Sequence, residues 1–394
     1  MKKKKLAGIF LSLSLIAGAL AGCGGKETGG SGSGSSGGGK TIKVGANIEL
    51  SGGVASYGQS ISQGLELAFD EINEKGVDGK EFEIVKFDNK SEAAEATNGA
   101  IKLVSQDKVA VMVGAATSTN TLAQVQIAEK NQIPLITPTG TNPTITNKDG
   151  KVNEYVFRTC FIDPFQGTVA ANFATKDLKS KNAAVFIDSA SDYSKGLADS
   201  FKKAYTKNGG KIVAEEAYVA KDTDFNSTLT RIKSANPDFI FLPGYYEEVG
   251  LIIKQARALG ITAPFMGGDG WDSPTLVDIA GGEALNNTFI TNHYSAGDKA
   301  ENIQKFVKAF EAKYKKTPDA FAALGYDTAY FLADAVKRAG SDDPKKVKEA
   351  LEKTKDLQLV SGKLTLDDKH DPVKSAAILE YQGGKQTFKT NVNP

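Results

Sequence analysis

Three short runs carry most of the chemistry open to this chain. Gly114-Ala115-Ala116-Thr117-Ser118-Thr119-Asn120-Thr121 gathers hydroxyls between a strand-like run and a helical pattern. Hydroxyls and free backbone N–H groups at a helix start bind an anion without any cationic side chain, although one member of such a cluster serves as N-cap in any case. Pro138-Thr139-Gly140-Thr141-Asn142-Pro143 holds an irregular backbone that leaves carbonyls and hydroxyls available, or is an ordinary loop. In Gly267-Gly268-Asp269-Gly270-Trp271, glycines flank one acid, so the backbone can approach a ligand while a single negative charge is presented to an ammonium. A turn Asp in a Gly-rich loop is the other reading. Tyr57, Tyr193 and Tyr245 fall in loops after strand-like runs and suit either pocket walls or core packing. A hydroxyl anion site, a lone acid and aromatic walls describe the complement of a zwitterion with an apolar tail.

Other motif matches are products of composition. Gly34, Gly39, Lys40 and Thr41 satisfy the spacing of a phosphate-binding P-loop, but that loop needs a strand before it and a helix after it. Here a Gly/Ser tract precedes it and a strand-like run at 42–48 follows. Gly34, Ser36 and Gly38 match a nucleophile elbow for the same reason, with no His placed to take the proton. The two histidines, His293 and His370, are expected on the solvated surface. No metal-ligand spacing occurs and no cofactor is expected, so the reading is of a binding protein and not an enzyme.

The elements that must position these groups alternate in the manner of parallel α/β layers. Strand-like runs at 42–48, 82–87, 109–113 and 134–137 alternate with helical patterns at 59–74, 92–105 and 121–130. In the first of these patterns Ile61, Leu65, Leu67, Ala68 and Ile72 recur at helical spacing. A second series has helices at 167–178, 195–207, 226–234 and 247–259 and strands at 183–187, 212–218, 238–242, 264–266 and 288–291. Helical patterns at 302–314, 320–339 and 344–355 follow, and the tail, with 364–366 and 376–381, reads as strand or hairpin. Two series with a late return of helices imply two similar lobes that the chain visits more than once. Open parallel sheets bind ligands beyond the carboxyl ends of their strands, where the three runs fall.

The N-terminus is a targeting segment. Lys2 to Lys5 precede an apolar stretch at 6–21 that is short for a spanning helix, and it ends at Leu20-Ala21-Gly22-Cys23. This tetrapeptide resembles the bacterial lipobox, which implies cleavage before Cys23 and lipidation of its thiol, the acyl chains then holding the protein on the membrane. Residues 24–40 read as a flexible Gly/Ser tether. The sequence holds 48 Lys and Arg against 47 Asp and Glu; without the four leader lysines the balance is 44 to 47. That argues against nucleic acid, whose binding needs a basic face. Cys160 is the only other cysteine, so no intramolecular disulfide accompanies a lipidated Cys23. Roughly 350 residues remain after the tether, long for one core and suited to two lobes.

The run Leu50-Ser51-Gly52-Gly53-Val54-Ala55-Ser56-Tyr57-Gly58 resembles the opening of the branched-chain amino-acid binding proteins of ABC transporters, the Leu/Ile/Val-binding-protein-like family. Ile136-Thr137-Pro138, Phe157-Arg158-Thr159, Asp192-Tyr193-Ser194-Lys195-Gly196, Pro243-Gly244-Tyr245 and Phe265-Met266-Gly267 extend the likeness in the same order, from Thr41 to about Tyr381. The resemblance implies a type I periplasmic-binding fold, two Rossmann-like α/β lobes joined by a three-crossing hinge near Arg158, Thr291 and Asp368. The first lobe would comprise 41–158 and 291–367, the second 159–290 and 368–394. It further implies that Ser118 and Thr141 hold the ligand carboxylate, that Thr139 and Thr141 with Asp269 hold the ammonium, and that Tyr57, Tyr193, Tyr245 and Phe321 enclose the side chain. Family members often carry Glu where this chain has Asp269. Some have a disulfide near the first-lobe site, where this chain has Lys90 and Thr117. The function implied is capture of an amino acid, of Leu/Ile/Val type, by a monomer on the extracytoplasmic face of the membrane, and its delivery to an ABC transporter permease. A sensory module for amino acids or small amides is the alternative.

Overall fold

The computed structural model describes residues 41–393; the leader, Cys23 and the tether lie outside the described residues. Strand β1 (Thr41–Ile48), helix α1 (Ala55–Asn73), β2 (Glu81–Asp88), α2 (Ala93–Ser105), β3 (Val111–Val113), α3 (Ser118–Asn131) and β4 (Leu135–Thr137) alternate. A short ribbon of β5 (Asn147–Lys148) and β6 (Lys151–Val152) precedes β7 (Val156–Arg158). The strands β2-β1-β3-β4-β7 form one parallel sheet. Every residue of β3, β4 and β7 is buried, as expected where helices cover both faces of a parallel sheet.

Next come α4 (Asp163–Asn172), extended by a π turn at Phe173–Asp177, β8 (Asn182–Asp188), α5 (Asp192–Lys207), β9 (Lys211–Tyr218) and α6 (Asn226–Ser234). They are followed by β10 (Phe239–Phe241), α7 (Tyr246–Ala258), β11 (Phe265–Gly267), α8 (Pro274–Ala280) and β12 (Thr288–Asn292). After α9 (Glu301–Tyr314), α10 (Ala320–Ala339), α11 (Pro344–Glu352), β13 (Leu357–Leu359) and β14 (Gly362–Leu364), the chain ends in β15 (Ala376–Gln382) and β16 (Lys385–Val392). The second sheet runs β16-β15-β12-β11-β10-β8-β9. It is parallel from β9 to β12, while β15 and β16 close it as an antiparallel edge. Thr291, expected to open the return to the first lobe, is inside β12, so the chain leaves this sheet only after Asn292.

Helix α10 returns to pack along α1. The approach is close because Gly64 and Gly325 face the other helix: a Cβ on Gly64 would lie 2.0 Å from the Ala322 carbonyl oxygen, and one on Gly325 2.5 Å from that of Ile61. Three segments therefore pass between the lobes, at 159–162, 293–300 and 365–375. Arg158, fully buried at the end of β7, ties the first passage to the third. Its guanidinium donates to the carbonyls of Gly140 and Asn142 (2.6 and 2.9 Å) and to Thr146 Oγ1 (2.9 Å), and its Nε lies 2.8 Å from Asp371 Oδ1. Among the described residues no helix is long and apolar enough to cross a membrane.

Four helices begin earlier than apolar spacing suggests. Helix α1 starts at Ala55, not Gln59; α3 at Ser118, not Thr121; α4 at Asp163, not Gly167; α5 at Asp192, not Lys195. Small, polar or single aromatic residues break the apolar period over these first turns, and α3 and α5 are capped by Thr117 and Ser191, whose hydroxyls accept from the amides of Asn120 and Ser194. Removing the buried cation leaves Asp371 and two carbonyls without their partner. Arg158→Met is therefore expected to cost about 3–5 kcal/mol in urea unfolding, and a loss below 1 kcal/mol would show that the hinge does not depend on this pair.

Candidate functional site

The carboxyl ends of the two parallel sheets face one another, and a small cavity lies between them. Tyr57, Ala116, Ser118, Thr139, Tyr193, Tyr245, Asp269, Gly270 and Phe321 line it. Seven of the eight residues singled out from the sequence thus meet in one place. The eighth, Thr141, is buried two residues beyond Thr139 and faces Asp163.

The cleft is closed around this cavity. Tyr57 Oη donates to the Gly270 carbonyl oxygen and accepts from the Tyr246 amide at 3.3 Å. Ser56 Oγ is 2.8 Å from Ser273 Oγ. At the other rim, Thr119 Oγ1 accepts the Asp192 amide (3.1 Å) and donates to its carboxylate (3.2 Å), and Asn142 Nδ2 donates to the Asp192 carbonyl (2.9 Å).

On the first-lobe side lies the start of α3, where part of the expected anion site is already filled. Glu49, fully buried just past β1, accepts from the amides of Ala116 and Thr117, the Thr117 hydroxyl and Asn120 Nδ2. Burial pushes its carboxyl above the ordinary range, and these four donors pull it back. The sequence reading missed Glu49, although an acid directly after a strand is a signal it could have used. The amides of Ser118 and Thr119 find no acceptor among the described residues. Ser118 Oγ accepts from the Asn142 amide at 3.2 Å and keeps its own hydrogen to donate. A carboxylate reaching this helix end meets donors from both backbone and side chain.

The second-lobe side presents Asp269, in a 3₁₀ turn (Asp269–Trp271) that follows β11. Its Oδ1 accepts from Tyr193 Oη (3.0 Å), its Oδ2 lies 2.9 Å from His293 Nε2, and its amide donates to Gln166 Oε1 (2.8 Å). A carboxylate offers about four lone-pair sites, so two are left for a ligand. Thr139 Oγ1 donates to the Ala116 carbonyl at 2.7 Å, which turns its lone pairs toward the cavity as further acceptors. His293 and His370, expected on the surface, are both buried, at 5% and 6% exposure. His293 carries a hydrogen bond to the site acid, and His370 Nδ1 lies 2.9 Å from the Val156 carbonyl oxygen with its ring stacked on Phe157. Their burial comes from the two hinge passages they sit on, which periodicity does not reveal.

Aromatic rings close the remaining walls. Tyr57 stacks on Phe321 (centroids 4.0 Å apart, planes at 7°) and Tyr193 on Tyr245 (5.3 Å, 10°), with Tyr57 edge-on to Tyr245 at 5.8 Å. Burial pushes all three phenols well above their ordinary range, so they remain neutral. Tyr57 and Tyr193, expected in loops, lie in the first turns of α1 and α5. No Lys or Arg lines the cavity. Among the described residues no group of three or more His, Cys, Asp or Glu is placed to hold a metal ion. The nearby Cys160 thiol is pushed up to about 12 by burial and stays protonated.

Two lobes with a small polar-ended, aromatic-walled cavity between them define a protein that closes on a solute. Residues 41–386 match the family model described as periplasmic binding protein, and the chain belongs to that family. It is a solute-binding family, not an enzyme family. A leucine-, isoleucine-, valine-, threonine- and alanine-binding protein of Pseudomonas aeruginosa is 32% identical over 353 residues, 89% of this chain and 92% of that protein. Among solved structures, the branched-chain amino acid transporter substrate binding protein LivJ of Streptococcus pneumoniae, in complex with isoleucine, is 41% identical with a TM-score of 0.85. It is matched over 90% of this chain and 100% of that one. The leucine binding protein LivK of Thermotoga maritima is 38% identical, also at 0.85, over 90% and 99%. The resemblance to branched-chain amino-acid binding proteins read from the motifs is upheld by these relatives.

One buried acid at the site lacks well-formed hydrogen bonds. Asp163, at the start of α4, is pushed up to about 8 by burial, against the pull of the Thr141 hydroxyl, with the Asp269 charge adding to the rise. A folded-state pKa above the ordinary 3.8 means that the native protein holds this proton more tightly than the unfolded chain. Stability on this account is full below about pH 4 and declines as the pH rises toward 8. Asp163→Asn removes the decline and is expected to raise stability at pH 7 by about 1–3 kcal/mol; urea midpoints between pH 4 and 8 check it, and an unchanged pH slope would contradict it.

Proposed function

We propose that this protein captures a free aliphatic amino acid, of leucine, isoleucine or valine type, in the closed cleft and delivers it to an ABC transporter permease. One observation carries the reading. The cavity sets an uncompensated carboxylate, Asp269, on one lobe against unfilled amide and hydroxyl donors at Ser118 on the other, with Tyr57, Tyr193, Tyr245 and Phe321 between. A zwitterion bridges the lobes, its ammonium at Asp269 and Thr139 and its carboxylate at Ser118 and the free amides of the α3 start, while Thr141, turned to Asp163, stays behind the cavity wall. Its side chain lies against the rings. Names of relatives such as the Pseudomonas aeruginosa and Streptococcus pneumoniae proteins support the same ligand class.

Closure excludes water, so the Asp269–ammonium contact forms where the dielectric is low. A ligand without a cation leaves Asp269 buried without a counter-charge, which opposes closure. The hinge mechanism then reports occupancy to the permease as lobe closure. Cys23, lipidated after removal of 1–22, keeps the monomer at the extracytoplasmic membrane surface, and the Gly/Ser tether gives it reach.

Leucine, isoleucine and valine are expected to raise the melting temperature of the mature protein, since a ligand that binds only the folded state stabilises it. No shift with any amino acid would sink the reading. Asp269→Asn and Asp269→Ala should each weaken leucine binding in calorimetry by about 2–5 kcal/mol, at least about 30-fold in Kd. Unchanged affinity would remove Asp269 from the site. Cys23→Ser should move the protein from the membrane to the soluble fraction, whereas continued membrane partition would contradict a lipid anchor.

A further inference from the structure

His293 is the first residue after β12, on the second passage between the lobes. Its Nε2 lies 2.9 Å from Asp269 Oδ2, and its amide donates to Asn292 Oδ1 at 2.8 Å. Its ring stacks on Phe161 of the first passage, with centroids 3.7 Å apart and planes at 22°. Nδ1 is buried without a hydrogen-bond partner. The charged groups that face the ring are Asp269 and Asp272, from the segment after β11, and Lys374, from the third passage.

The partners of Asp269 differ in kind from those of an ordinary buried carboxylate. A Lys or Arg in place of His293 would cancel its charge and leave nothing for a cationic ligand. A neutral imidazole and a phenol instead fix both oxygens by hydrogen bonds and add no charge. Burial keeps His293 below its ordinary range, against the pull of Asp269, so the ring is uncharged at neutral pH. Its Nε2 then carries the hydrogen that Asp269 accepts, and Nδ1 is left bare.

We infer that His293 is a positioning residue, which aims the Asp269 carboxylate at the ligand ammonium while leaving its charge uncompensated, and whose protonation competes with the ligand for that charge. The inference rests on the amino-acid reading of the site. Its consequence has a definite sign. Above the His293 pKa, Asp269 is free to pair with the ammonium. Below it, an imidazolium holds Asp269 and must lose its proton when the ligand binds, so affinity falls as the pH falls through the acid range. The stack on Phe161 places this competition on two hinge passages at once.

The test is calorimetry with L-leucine from pH 8 to pH 5 on the wild type, His293→Gln and His293→Asn. Both substitutions retain an N–H donor and do not titrate in this range. The wild-type Kd should rise toward tenfold per pH unit below the His293 pKa, and the heat should depend on the buffer's ionisation enthalpy, reporting proton release. Either amide variant should bind within a few-fold of the wild type at pH 8 and lack this acid-range rise. Asp163 titrates in all three proteins, so the difference between the profiles isolates His293. Parallel profiles in the wild type and both variants would overturn the inference, as would heats independent of buffer. A wild type that binds leucine at no pH would overturn the amino-acid reading itself, a distinguishable result.

Discussion

A buried guanidinium governs how this molecule holds its cleft. Arg158 has no access to water, so its charge and donors must be met inside. The groups that meet them are the carbonyls of Gly140 and Asn142, the Thr146 hydroxyl and the Asp371 carboxylate. Two consequences follow from that geometry. The loop between β4 and β5 is drawn inward by its carbonyls, which leaves Thr139 on the cavity wall and Thr141 beside Asp163. The first and third passages between the lobes are also joined at Arg158, and again where Lys374 Nζ donates to the Thr159 carbonyl at 3.1 Å.

The cavity is built from helix first turns and strand ends. Tyr57, Ser118 and Tyr193 occupy first turns of α1, α3 and α5, while Thr139 and Asp269 follow β4 and β11. These are the positions where backbone amides lack intrahelical partners, so polar ligand groups find donors without added cations. Glu49 limits how many are available by filling the amides of Ala116 and Thr117. The remaining donors at Ser118 and Thr119 face a charge of opposite function on the second lobe. Neutral phenols and a neutral imidazole surround that charge, so it is oriented and still uncompensated.

Much of the architecture was legible from spacing alone. Strands such as 42–48 and helices such as 320–339 carry strong period-two or helical patterns, and β1 and α10 form there. The helix starts were less legible, for a physical reason. Residues such as Ser118 and Tyr193 line the cleft, and Asp163 is buried beside Thr141, so the apolar period is silent over those turns. The surface reading of His293 and His370 failed similarly, because each is buried by a hinge passage distant in sequence from what covers it, Val156 lying 214 residues from His370.

By itself the sequence determined the alternation of layers, the placement of Asp269 and of the Ser118 hydroxyl cluster beyond strand ends, and the zwitterion character their chemistry implies. Residue type and local period suffice for that, since both act within one element. Only the tertiary structure decided which groups share Asp269, with Tyr193 lying 76 and His293 24 residues away. It likewise decided that Glu49 occupies the start of α3 from 67 to 71 residues away. Such pairings arise when two lobes and three passages pack against one another, and no local pattern encodes which buried donor will face which buried charge.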